Sequence, residues 1–235
     1  MEPCALEEPK PLFGARLWPL TGSYAFFDAE MEDVAEVLAG WRRGLDLHPV
    51  EERVTGGLES ALRKLQPMSL GYRELLTRTS SHWTAYFSDG RTGADEAPVG
   101  QVAKMLRRRA VFITWWPLPR YWALRFQLYA DRETEFLNYE RVLDVGVDDD
   151  GRNVFTATGT PQPYEEQGAY QARRVRDRLT PAIVERYCEA LGIKPFDEDF
   201  FGSDAFLITS RDSRPDIRFT VADQQARYGF NPAHS

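Results

Sequence analysis

Residues 110–158 constrain the fold more than any other part of the chain. The run 110–116 is apolar but for Thr114. After Pro117-Leu118-Pro119-Arg120 the pattern turns to alternation, with Trp122, Leu124, Phe126 and Leu128 separated by Ala123, Arg125 and Gln127. A period of two marks an extended strand with one apolar face. Residues 139–147 and 152–158 flank Asp148-Asp149-Asp150-Gly151, whose Asp-Gly step supplies a hairpin turn. Strands joined by short turns pair antiparallel, so this block predicts the middle of a mostly antiparallel sheet.

Helices are expected around it. Met31, Val34, Ala35, Leu38 and Trp41 recur at helical spacing, with Asp28 read as the N-cap and Gly44 as the stop. A second helix is expected at 58–65, ended by Pro67, and a third from Pro98 through Val99, Val102, Ala103 and Leu106. Residues 165–179 read as a helix with an arginine-rich face. Thr180-Pro181 then opens a fifth helix, with Thr as N-cap and Pro at its first position, closed by Gly192. Further strands are expected at 70–77, 82–88 and 205–209, with a short hairpin or bent strand at 12–27.

The expected architecture is therefore α+β: a central, mostly antiparallel sheet with hairpins, flanked by about five helices. Residues 1–11 read as a flexible tail, 12–210 as one composite domain with a possible subdivision near residue 161, and 211–235 as a polar C-terminal segment. Tyr24-Ala25-Phe26-Phe27-Asp28 before the first helix echoes Thr84-Ala85-Tyr86-Phe87-Ser88-Asp89 before the third. A duplicated strand-then-helix unit and shared β-to-α punctuation both account for the echo.

Several function classes find no support in the sequence. Acids and prolines occupy the first eleven residues, where a signal peptide needs a basic start and an apolar run, and no stretch approaches the ~20 apolar residues that span a bilayer. The expectation is a cytoplasmic protein without membrane association. Cys4 and Cys188 are too few for a disulfide framework or a thiolate metal site, and read as free thiols. The histidines are His48, His82 and His234 alone. Gly90-Arg91-Thr92-Gly93 is too short for a phosphate loop, no Gly-x-Ser-x-Gly occurs, and Asp148-Asp149-Asp150 lacks the alternate spacing of an EF-hand. No catalytic residue, metal or cofactor is assigned, and binding is preferred to catalysis.

Charge points toward a partner. Residues 131–204 hold 17 acidic against 9 basic residues, whereas the whole chain nets −7, so the acidity belongs to one region. Such a surface repels nucleic acid and attracts basic proteins. The triplet Arg107-Arg108-Arg109 reads as a solvated helix end. Candidate contact residues are Asp148, Asp149 and Asp150, and Asp197, Glu198 and Asp199, the latter set between Phe196, Phe200 and Phe201. Core-anchored phenylalanines carrying a polar segment are the alternative reading of that second run. Trp115 and Trp116 join the candidates because neighbours in a strand point to opposite faces, so that one of them can face outward.

The run Trp83-Thr84-Ala85-Tyr86-Phe87-Ser88-Asp89-Gly90 resembles uncharacterised bacterial proteins of GC-rich genomes. So do Tyr170-Gln171-Ala172-Arg173-Arg174, Arg176-Asp177-Arg178-Leu179-Thr180-Pro181, Leu191-Gly192-Ile193 and Phe196-Asp197-Glu198-Asp199-Phe200. The likeness covers roughly residues 70 to 205. Small acidic α+β proteins of this appearance include immunity proteins of bacterial toxin systems. What the resemblance implies is a protein that occludes a cognate, basic toxin domain, and it transfers no catalytic residue. A hydrolase of unfamiliar type using dispersed Asp or Glu with His82, and a housekeeping interaction protein, are the other readings.

Overall fold

A computed structural model describes residues 9–69, 73–118, 120–134, 138–210 and 218–230. Its centre is one nine-stranded sheet: β1 (Ser23–Phe27), β2 (Val50–Thr55), β3 (Arg73–Thr79), β4 (Thr84–Ser88), β5 (Ala110–Trp116), β6 (Ala123–Tyr129), β7 (Tyr139–Val147), β8 (Asn153–Gly159) and β9 (Phe201–Thr209). The spatial order is β2-β9-β3-β4-β1-β5-β6-β7-β8, with every neighbouring pair antiparallel. Strands β5 to β8 form the expected meander. β9 inserts between β2 and β3, weaving residues 201–209 into the same sheet as the N-terminal strands.

Five α-helices pack around it: α1 (Met31–Gly44), α2 (Gly57–Arg63), α3 (Glu96–Leu106), α4 (Pro181–Glu189) and α5 (Val221–Arg227). Helices α1 and α3 share one face, where Met31, Val34, Leu38, Val99 and Val102 meet Ala25, Phe27, Tyr86 and Phe112. Helices α2 and α4 cover the other, where Leu58, Leu62, Val184 and Tyr187 join Tyr24, Phe26, Phe87, Ile113 and Phe126. The period-two rule sorts β1 between the two cores: Tyr24 and Phe26 point one way, Ala25 and Phe27 the other. All five residues of β1 are buried, as a strand covered on both sides requires.

In β6 the alternation reads out as expected. Leu124, Phe126 and Leu128 are fully buried on the α4 face, and Trp122 packs against them partly buried. Arg125 and Gln127 lie on the α3 face, and Arg125 pairs directly across the strands with Asp144 of β7 at 2.7 Å. The two echoing segments become adjacent antiparallel strands, with Ala25 opposite Tyr86 and Phe26 opposite Ala85, and the helices that follow them touch.

Several sequence expectations are corrected. Residues 165–179 form no α-helix; two 3-10 turns, Gln167–Gln171 and Val175–Asp177, stand there. The cause is tertiary: Glu165 is drawn into a buried two-pronged ion pair with Arg141 of β7 and also accepts from the Tyr170 hydroxyl at 2.8 Å. A five-residue step between these two groups differs from the three or four that share a helix face. Asp28 does not cap α1. Glu30 holds the N-cap position, and the Asp28 N–H instead extends the β1 pairing to the carbonyl of Arg109 at 3.0 Å. Residues 12–22 are not extended: a 3-10 turn with Phe13, Gly14 and Ala15 at positive φ precedes further turns and a single strand.

Strand β2 and helix α5 were not anticipated. Helix α5 carries a reciprocal capping box between Thr220 and Asp223, and Phe230 beyond it packs on Trp18 at 5.4 Å. Cys4, His234, residues 70–72 of the strand expected at 70–77, most of the tail 1–11 and part of 211–235 lie outside the described residues.

Candidate partner-binding surface

The two acidic runs occupy separate places. Residues 148–151 turn the β7–β8 hairpin at the outer part of the sheet, while Asp197 follows Phe196, whose ring meets Trp115 of β5 edge-on at 4.9 Å. Two to three strand spacings, on the order of 12 Å, lie between those positions along the sheet.

One of the three hairpin carboxylates, Asp150, has an arginine beside it, and another, Asp148, is engaged by the backbone. Asp148 closes the turn by accepting from the Arg152 N–H at 2.7 Å, and Gly151 takes the positive φ of 79° that the tight reversal requires. Asp150 stands 3.6 Å from the Arg152 guanidinium. Nearby, Arg176 donates to Asn153 Oδ1 at 2.8 Å and covers the Trp122 ring at 4.9 Å, bringing further positive charge to the β8 end. This run reads as turn chemistry.

The second run gathers charge. Asp197 caps the 3-10 turn Glu198–Phe200 by accepting from the Asp199 N–H at 3.0 Å, and Glu198 Oε1 accepts from the Phe13 N–H at 2.8 Å. Both tasks leave Asp197 partly exposed and Glu198 exposed. Phe200 and Phe201 are buried and pack near Phe26, so phenylalanines do anchor this segment to the core. Helix α4 adds Glu185 and Glu189 beside it. Burial first, and then the charge of Glu189, push the Glu185 carboxyl above its ordinary value, with Arg186 pulling against them and Asp197 adding to the rise. Two cations stand nearby: Lys194 is 3.9 Å from Asp197, and Arg186 pairs with Glu166 at 2.6 Å while also acting on Glu185. Glu185, Glu189, Asp197, Glu198 and Asp199 form the acidic surface. Glu185 and Glu189 escaped sequence reasoning, although their i, i+4 spacing after Pro181 places them on one helix face.

The tryptophans contribute little surface. Trp115 is 8% exposed and belongs to the α4-side core, while half-buried Trp116 donates its Nε1–H to Ser23 Oγ at 3.3 Å. Trp115 instead packs on Phe196, the residue before the second acidic run.

Elsewhere, the Arg141–Glu165 pair and Asp89 are buried and hydrogen-bonded, and His82 is open to solvent. The Arg141–Glu165 pair is completed by Tyr170, whose hydroxyl lies 3.1 Å from that of Tyr187, and by the Gln162 N–H at 2.8 Å. Asp89 accepts from the Ser69 N–H and hydroxyl and from the Arg73 N–H, which ties the chain on either side of residues 70–72 to the end of β4. His82 Nε2 comes within 3.3 Å of Asp28 Oδ1 with the imidazole 61% exposed, a surface pair rather than a sequestered one. Cys188 is buried, and burial pushes its thiol up, away from the reactive thiolate. Among the described residues no three His, Cys, Asp or Glu side chains converge as a metal site, and no helix is long and apolar enough to cross a membrane.

Comparisons with protein-family models, with curated proteins and with solved structures return no match.

Proposed function

We propose that this chain is a binding protein that occludes a basic protein partner, in the manner of an immunity protein covering its cognate toxin domain. The observation that carries the reading is the set of acids on α4 and at residues 197–199, of which Glu189, Glu198 and Asp199 are exposed. A cationic partner complements those charges, which gives the complex an electrostatic gain on top of shape. The net charge of −7 favours a protein partner over nucleic acid.

The test is capture on immobilised protein from cells that express it, comparing wild type with the double variant Glu189→Gln/Asp199→Asn. Recovery of a basic polypeptide by wild type and its loss with the variant supports the reading, as does neutralisation of that polypeptide's toxicity on co-expression. Equal recovery by both proteins removes the surface from the account. The hydrolase reading rests on His82 and Asp28, and their exposed setting lacks the water exclusion and substrate enclosure of an enzyme site.

A further inference from the structure

The two edges of the sheet differ. At one end β2 carries Glu51, Glu52 and Arg53, charges that discourage further pairing. At the other end β8 reads Asn153-Val154-Phe155-Thr156-Ala157-Thr158-Gly159, with no charge, no proline and no break in its register with β7. Six of these seven residues are exposed, and only Phe155 is half-buried. An open strand of this composition is a template for another strand.

The ladder with β7 fixes which backbone groups of β8 are open. The Asp148 N–H donates to the Arg152 carbonyl at 2.9 Å and the Thr160 N–H to the Glu140 carbonyl at 2.8 Å, one bond at each end of the hairpin. The register between them is unbroken, and bonded and non-bonded pairs alternate along an antiparallel ladder. Val154, Thr156 and Thr158 therefore direct their backbone groups toward β7, while Asn153, Phe155 and Ala157 turn theirs outward. No group among the described residues bonds those three N–H and three C=O groups.

The flank of the edge selects the strand that fits. Asn153, Phe155 and Ala157 share the α4 face, where Phe155 packs on Tyr170 with ring centroids 5.2 Å apart. At Asn153 that face meets a cavity of about 440 Å³ lined by Asn153, Arg174, Val175, Arg176 and Asp177. Arg176 is engaged with Asn153 Oδ1 and the Trp122 ring, whereas Arg174 is exposed and makes no ion pair among the described residues. Residues 173–178 hold four arginines against Asp177, and Arg152 adjoins Asn153, a cationic margin on a chain that nets −7.

We propose that β8 receives an antiparallel strand from an acidic segment of a protein partner, extending a sheet whose every pair is already antiparallel. In a hydrogen-bonded antiparallel pair the opposed side chains share a face. The partner residue opposite Phe155 thus lies beside that ring, and the one opposite Asn153, two positions later in the partner, points toward the cavity that Arg174 lines. The edge selects an apolar residue followed two positions on by Asp or Glu. Main-chain bonds supply affinity, and these two side chains supply specificity. The site is separate from the acids of α4 and does not rest on the proposed function.

Fluorescence anisotropy tests it, with the full chain titrated into an amidated heptapeptide, Ser-Thr-Thr-Ile-Thr-Glu-Ser, that carries an N-terminal dye. The expected result is saturable binding. In low salt it should weaken about two- to fivefold when the peptide's Glu becomes Gln or the protein carries Arg174→Gln, the worth of one exposed ion pair. The peptide Ser-Thr-Thr-Ile-Glu-Thr-Ser puts its acid on the opposite face and should lose as much. Methylating the isoleucine nitrogen blocks the bonds to Phe155 and should weaken binding at least about tenfold. Ala157→Pro deletes an outward N–H, so it should abolish binding with the melting temperature unchanged; if that variant unfolds, the methylated peptide decides the matter. No saturable binding, equal binding of the methylated peptide, or indifference to both the position of the acid and Arg174→Gln overturns the inference. So does a dimer of the free protein that Ala157→Pro abolishes, since the edge then belongs to a second copy. None of these results bears on capture through α4.

Discussion

Arg42 of α1 grips Glu74 of β3 with two hydrogen bonds, Nη2 to Oε1 at 2.6 Å and Nε to Oε2 at 2.9 Å, and the Glu74 side chain is wholly withdrawn from solvent. The Tyr86 hydroxyl completes the set by donating to Oε1 at 2.9 Å. Burial pushes the Glu74 carboxyl up, and Arg42 pulls against it. The pair fixes α1 to the sheet, and its geometry carries the first prediction.

Glu74→Gln should cost about 3–5 kcal/mol in urea unfolding, because it removes the buried carboxylate that the Arg42 guanidinium grips with two hydrogen bonds. Adding Arg42→Met should recover part of that loss, since the buried positive charge is then removed as well. A cost below about 1 kcal/mol for the single variant would place the pair among ordinary surface bridges.

Phe126→Ala tests the face that sequence alternation assigns to the core. Phe126 is fully buried against Tyr187 of α4 at 6.0 Å between ring centroids, so the truncation should cost about 3–5 kcal/mol. A change within a few tenths of a kcal/mol in the unfolding midpoint would show that α4 does not seal this face.

Glu185 predicts a pH dependence. Its folded-state value is raised above 4.5 by burial, Glu189 and Asp197, so the folded protein holds this proton more tightly than the unfolded chain does. The resulting stability is present below the unfolded value and is lost as pH rises through the folded one. Glu185→Gln does not titrate there. Its stability relative to wild type should therefore climb between about pH 4 and pH 7 and level off above the folded value. A gap that narrows over that range would contradict the raised Glu185 carboxyl, for which burial is the first cause.

How far the sequence foretold this structure depended on whether neighbours in the chain carried the signal. The β5–β8 meander was legible because each strand shows its apolar run or alternation with turn residues beside it. Thr180-Pro181 announced α4, and Thr180 Oγ1 does accept from the Ile183 N–H at 3.3 Å. Strand β2 was hidden because Glu51, Glu52 and Arg53 are exposed and only Val54 is buried, the charged pattern of an edge that resists further pairing. Residues 165–179 misled because Glu165 and Tyr170 answer to Arg141, a residue more than twenty positions away. In the candidate surface, Asp197 to Asp199 stood out as a run, whereas their reinforcement by Glu185 and Glu189 needed the phase of α4. The open edge of β8 was beyond reach, since its place in the sheet and its outward backbone groups follow from its pairing with β7 alone.

The association rate of the captured basic partner, measured at low and high ionic strength, tests the acidic surface most directly. Wild type should be compared with Glu189→Gln/Asp199→Asn and, as control, Asp149→Asn/Asp150→Asn in the hairpin, where Arg152 stands beside Asp150. Complementary charge acts mainly on encounter and is screened by salt. The account predicts a slower on-rate for the α4-side variant in low salt, a difference that closes in high salt, and little change for the hairpin variant. Equal on-rates for wild type and the α4-side variant at low salt would contradict it.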